Sequence, residues 1–304
     1  MKAGGGEAVQ GRWRAVAEWP PVALALALAI FLGAAGVAAG LIEVAMRGAP
    51  ANHVQIVTDA VSCVVMLLAY KLVIRRLGRK PRDDLAGPRA GRQVLAGTGI
   101  GFLLFSAIVA VAALMGVYRI NGTGNADFLL FALVTDGFAP AIGEELLFRG
   151  ILFRWLEEWS GSAPALVVSS LLFGASHLQN PGASWLAAIG IALEGGLLLG
   201  AAYVLTRRLW MPMGLHAAWN LTQGEVFDVP VSGNDAHGLL SAQLGGPELL
   251  TGGGFGLEAS LISISIATAF GLALFALAAR ERRLVPVPWF ARRSEAVRRS
   301  ISPK

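Results

Sequence analysis

The stretch LLFALVTDGFAPAIGEELLFRGILFRWL, residues 129–156, is apolar at both ends and carries Glu144, Glu145 and Arg149 in its middle. A helix of about 20 apolar residues crosses the ~30 Å hydrocarbon core of a bilayer, and this run is longer. Ionisable side chains at such depth are costly, and as a rule they pair or act. The stretch reads as a membrane span with a polar centre.

The rest of the chain agrees with that setting. Of its 304 residues 55% are hydrophobic and 15% charged, with a mean hydropathy of +0.61, whereas soluble domains carry about 25% charged residues. Further apolar runs lie at 22–46, 54–74, 94–118, 162–178, 184–206, 209–224 and 258–279. With 127–156 they predict about eight spans. Open sheets cannot satisfy their backbone in lipid, so the expected fold is an all-α, polytopic transmembrane helical bundle. The segments read as an N-terminal tail (1–20), a first group of helices (21–125), a polar-centred core (126–224), a glycine-rich external loop (225–257), a last helix (258–280) and a basic tail (281–304).

Basic residues orient this bundle by the positive-inside rule. Lys2, Arg12 and Arg14 precede the first run, a dense cluster from Lys71 to Arg92 separates the second from the third, and Arg154, Arg207, Arg208 and the Arg280–Lys304 tail follow later runs on the same side. Only Arg47 and Arg119 fall in the alternate loops. Both termini are therefore expected in the cytoplasm. The net charge of +5 and pI near 9.9 are this rule summed over the chain and require no nucleic acid. The first run exceeds the ~7 to 15 residues of a signal-peptide core and is kept as a span. The single cysteine, Cys63, excludes an internal disulfide and reads as a packing residue.

Chemistry concentrates between 144 and 220. On a helix Glu145 and Arg149 are i, i+4 and pair on one face, while Glu144 points about 100° away. A buried Glu–Arg pair is commonly structural glue; a second, adjacent carboxylate without its own cation argues for more. Phe173-Gly174-Ala175-Ser176-His177 and His216-Ala217-Ala218-Trp219-Asn220 each set two groups on one helix face. Either alone is an ordinary helix–helix hydrogen-bonding feature. Counted at ~1.5 Å per residue from the cytoplasmic ends, Glu144, His177, His216 and Asn220 fall at overlapping depths of roughly 10 to 22 Å. Sharing one pocket, they supply a base, two imidazoles and an amide, enough to activate water and stabilise an oxyanion.

The ordered set Glu144-Glu145-x-x-x-Arg149, Phe173-x-x-x-His177 and His216-x-x-x-Asn220 resembles the three motifs of the CPBP family of intramembrane proteases, which includes CAAX prenyl endopeptidases of the Rce1 type and bacterial Abi and lysostaphin-resistance-A-like proteins. The likeness covers about 130–224. It implies that Glu144 polarises the attacking water with His177, that Glu145 is an accessory carboxylate tied to Arg149, and that His216 and Asn220 bind the oxyanion. In the metalloprotease view of the family, His177, His216 and Glu144 would instead hold Zn²⁺. The HExxH spacing of familiar zinc proteases is absent from the chain, and the resemblance leaves the two views open.

The resulting expectation is an intramembrane endopeptidase acting on a membrane-associated protein or peptide in a bacterial inner membrane, with the bilayer as its other partner. Phe173 and Glu194, the latter beside Gly195-Gly196, are expected to line the substrate pocket. Glu43 and Asp59 are candidates for a proton path, and His237 reads as a solvated loop residue. A non-proteolytic scaffold or immunity protein of the same family is the alternative. A proton-coupled transporter is less favoured, since no internal repeat is visible.

Overall fold

The computed structural model describes residues 16–78 and 82–287. The expected tails fall largely outside these residues, as do Arg79 and Lys80. Eight long helical segments organise the described chain: α1 (Pro20–Ala45), α2 (Ala51–Arg76), α3 (Ala90–Leu114), α4 (129–160), α5 (Ser162–Ser176), α6 (Trp185–Thr206), α7 (210–226) and α8 (Leu261–Arg280). Five of them, α1, α2, α3, α6 and α8, are long and apolar enough to cross a membrane. The chain is an all-α polytopic membrane bundle.

Two local expectations need correction. The third apolar run was placed at 94–118, but α3 ends at Leu114 and Gly116, at φ +74°, turns the chain out of the helix. Loop 225–257 is also not irregular throughout. Strand β1 (Tyr118–Thr123) pairs antiparallel with β2 (Leu240–Leu244), Tyr118 opposite Leu244, with an irregularity between Ile120 and Gly122. Each strand is too short, and too close to glycines, for its alternation to be conspicuous in the sequence.

Glycines set the closest helix contacts. A Cβ on Gly97 or Gly101 of α3 would strike the backbone of α7 at Met211 or Leu215, and one on Gly214 would strike Val94. Small residues allow such backbone approach where lipid supplies no hydrophobic drive between helices. Gly97→Leu is therefore expected to cost at least about 1–3 kcal/mol by overpacking and to displace His216, one residue from the contact. Gly99→Ala, with nothing within 4 Å of its added Cβ, should be neutral. Thermal unfolding of the two variants in detergent checks the contrast.

Side-chain and backbone bonds tie the connecting segments into two opposite faces. On one, Leu209 N donates to Asp84 O (3.2 Å), Arg208 Nη1 to Asp83 O (2.7 Å), Arg207 Nη1 to Glu157 (2.6 Å) and Ser162 N to Val285 O (2.9 Å). Asp84 is fully buried there between Arg82 (2.6 Å) and the Tyr203 hydroxyl (2.7 Å). On the other face, Tyr118 Oη donates to Phe227 O (3.0 Å), Asn180 Nδ2 to Ser232 O (3.1 Å) and Gly233 N to Phe255 O (2.9 Å).

Candidate active site

Helix α4 is not α-helical throughout. It carries π segments at Leu133–Phe138 and Glu145–Phe153, and α6 and α7 carry their own at Ala192–Gly196 and Thr222–Val226. Each holds a charged group within the bundle: Asp136, the Glu145–Arg149 pair, Glu194 and Glu225. π turns interrupt the i→i−4 ladder and re-aim side chains, often at functional sites.

The two adjacent glutamates have different environments. Glu145 is fully buried, and its Oε1 accepts from Arg149 Nη1 at 2.7 Å and from His216 Nδ1 at 3.0 Å. Arg149 Nη2 also donates to the carbonyls of Gly195 (2.9 Å) and Gly196 (3.2 Å), and its guanidinium lies 4.6 Å from the centroid of the Phe173 ring. One side chain thus joins α4, α5 and α6. The Glu144 side chain keeps 32% of its accessible surface, its Oε2 has no hydrogen-bond partner, and it stands 4.0 Å from His216 Nε2.

Both histidines are oriented through Nδ1. His177, at the C-terminal end of α5, lies 2.8 Å from Phe173 O and packs its ring 4.9 Å from that of Phe173. A carbonyl or carboxylate can only accept, so Nδ1–H donates in both histidines, leaving each Nε2 free. Asn220 spends one amide hydrogen on Asp136 O at 2.9 Å and has a second to offer.

These groups line one hollow with two lobes. The outer lobe, about 160 Å³, is bounded by Asp136, Glu144, His177, His216, Asn220 and Glu225, with Asn234 and Asp235 at its rim. The inner lobe, about 40 Å³, has room for ordered water and shares His177, His216 and Asn220 with the outer one. Phe173 and Glu194 line the inner lobe. Glu194 is buried and accepts from Ser263 Oγ at 2.6 Å. Of the other charges singled out in the sequence, Glu43 is exposed, Asp59 accepts from Gln55 at 2.9 Å, and His237 stacks on Phe128 with centroids 5.3 Å apart.

Residues 125–222 match the family described as type II CAAX prenyl endopeptidase Rce1-like. This segment is Rce1-like. It holds Glu144, Glu145, Arg149, Phe173, His177, Glu194, His216 and Asn220 on α4 to α7, and the family it is similar to is described as one of endopeptidases. No curated protein and no solved structure matches the chain.

The cavity also has walls beyond the Rce1-like segment. Glu225 at the end of α7, with Ser232 and Asp235 from the segment following it, bounds it, and Glu258, buried and accepting from Ser232 N, bounds the inner lobe. Sequence reading missed Glu225 and Glu258 as site residues. Their only signal was an acidic side chain next to an apolar run, which ordinarily marks a solvated helix end.

Zinc needs three or four donors at about 2.0 to 2.3 Å. Among the described residues no three His, Cys, Asp or Glu side chains are so disposed. Glu144, His177 and His216 of the Rce1-like segment do not fit the ion as they stand, and no step below runs through a metal.

Burial, followed by the charges of Asp136 and Asp228, pushes the Glu225 carboxyl up to about 7 from an ordinary 4.5. Glu144, His177, His216 and Asp235 share its cavity. A carboxyl raised on folding binds its proton more tightly in the native state, so its contribution to stability is present at low pH and is lost as pH rises from 4.5 through about 7. Glu225→Gln is expected to remove that slope. Melting temperatures of parent and variant, measured from about pH 5 to 8, should converge at the acid end and part at the basic end, with the parent lower.

Proposed function

We propose that the protein is an intramembrane endopeptidase that hydrolyses a peptide bond in a membrane-associated protein or peptide through a water activated at Glu144. The observation that carries this reading is the division of labour between neighbours. Glu145 is buried and committed to Arg149 and His216, whereas Glu144 keeps 32% of its side-chain surface accessible and lines a cavity shared with His177, His216 and Asn220.

In this mechanism a water is held between the Glu144 carboxylate and His177 Nε2. Glu144 takes a proton as the water oxygen bonds to the scissile carbonyl carbon. Negative charge develops on the carbonyl oxygen, where the second Asn220 amide hydrogen and, with the ring doubly protonated, the Nε2–H of His216 donate to it. The C–N bond then breaks, and the proton on Glu144 passes to the leaving amine, giving a carboxylic acid, an amine and a regenerated base. Arg149 and Glu145 do not touch substrate; they hold His216 and the α4 to α6 packing in place.

The distribution of arginines supports a bacterial inner membrane with both termini in the cytoplasm. The prenylated substrate that the family description names is not carried over to this chain. The test is a comparison of membrane proteomes from cells carrying the parent or Glu144→Ala at matched expression. A discrete set of cleavages seen only with the parent is expected. Identical proteomes, with both proteins folded and any phenotype retained by the variant, would replace the protease with a scaffold.

A further inference from the structure

The outer lobe lies on the opposite face of the bundle from the arginines. Segments 82–89, 157–162, 207–209 and 281–285, bonded to one another, carry or adjoin Arg76, Arg89, Arg154, Arg207, Arg208 and Arg280. Asn180, Ser232, Gly233 and the β1–β2 pair, joined on the other face, adjoin the rim of the cavity. Among the described residues the connecting segments of that face hold Arg47 and Arg119 as their basic side chains. Positive charge marks the cytoplasmic side, so the rim belongs to the other.

The lining of the lobe is acidic. Asp136, Glu225 and Asp235 join Glu144 there, and neither lysine nor arginine is among the lining residues. The same cavity is lined by the exposed Asn234 and Asp235 and by Glu144, His177 and His216. An acid-lined entrance with partly apolar walls focuses its field on cationic groups and repels anionic ones.

We infer that the cavity is entered from the extracytoplasmic face and takes a peptide segment bearing lysine or arginine beside its apolar stretch. The inference rests on the endopeptidase reading for the meaning of the site but has its own observables. Asp136 and Glu225 line the passage and Asp235 stands at its mouth, where each carboxylate contributes to binding a basic segment.

Sidedness is read in intact cells with a membrane-impermeant maleimide, using Gln243→Cys at the exposed position of β2 and Arg89→Cys on the arginine face, the parent with its buried Cys63 serving as blank. Gln243→Cys should label in intact cells, and Arg89→Cys only after permeabilisation. The reverse pattern overturns the inference. Charge is read with the full-length Glu144→Ala protein in vesicles, titrated with an apolar peptide carrying lysines and with the same peptide carrying glutamates. At about pH 8, where Glu225 is ionised, the lysine peptide should bind tighter, weaken with salt, and lose about fivefold in affinity for each charge removed by Asp235→Asn and Glu225→Gln. Asp235 is exposed, so Asp235→Asn tests the point without threatening the fold. Equal affinity for both peptides, or no loss in either variant, overturns it. A parent that binds the lysine peptide without cutting any protein sinks the endopeptidase reading and leaves this surface standing. Cleavage of substrates that ignore Asp235 and Glu225 does the opposite.

Discussion

Glu144→Gln is expected to lower kcat by about 10²- to 10⁴-fold, the usual contribution of a positioned general base, with little change in KM or thermal stability. The amide keeps the shape of the carboxylate but cannot accept the proton of the attacking water. Little stability is at stake, because the Glu144 side chain is 32% exposed and stands 4.0 Å from His216 without a close bond. The same substitution one residue on has another signature. Glu145→Gln weakens the bonds to Arg149 at 2.7 Å and His216 at 3.0 Å in a fully buried site, so stability and activity should fall together. Purified parent and variants, assayed on a substrate identified from the membrane proteome and melted in the same detergent, separate the two cases. If Glu144→Gln turns over substrate like the parent, Glu144 is not the base. If it melts like an unfolded chain, the residue is structural and the mechanism loses its centre.

That contrast shows how far the sequence carried the site. A spacing of four residues places Glu145 with Arg149, and Phe173 with His177, on common helix faces, and both contacts are present in the fold. Long apolar runs marked where helices would lie, because crossing lipid imposes a length and a composition that little else imitates. What escaped is whatever depends on long-range pairing or on local departure from α geometry. Nothing in Glu145–Phe153 announces a π segment, and nothing in Leu240–Leu244 announces a partner more than a hundred residues upstream. Glu225, at the end of α7, and Glu258 become cavity groups because the segment after α7 folds back beside them and sets them among residues distant in sequence. The close approach of α3 to α7 likewise depends on which glycines face each other, and an apolar run rich in small residues offers many equivalent choices.

Arg149→Ala should be the most damaging single change in the chain, costing about 3–5 kcal/mol as a buried ion pair is broken from one side. Arg149 and Glu145 are 2% and 0% exposed, so water cannot replace the lost partner cheaply. The guanidinium also satisfies the carbonyls of Gly195 and Gly196 and caps the Phe173 ring, so three helices lose a common tie. Arg149→Lys keeps the charge but offers a point ammonium where a planar fork now reaches a carboxylate and two carbonyls; it should fall between Ala and the parent. The decisive comparison is with Glu145→Gln/Arg149→Ala. If the penalty comes chiefly from a stranded charge, removing that charge as well should restore part of the lost stability, and the coupling from the double-mutant cycle should be large and non-additive. Thermal unfolding of the four proteins in one detergent gives that coupling. Additive losses would mean that Arg149 acts through its carbonyl and ring contacts alone, leaving Glu145 and His216 to be held by the packing of α4 against α7 rather than by the ion pair.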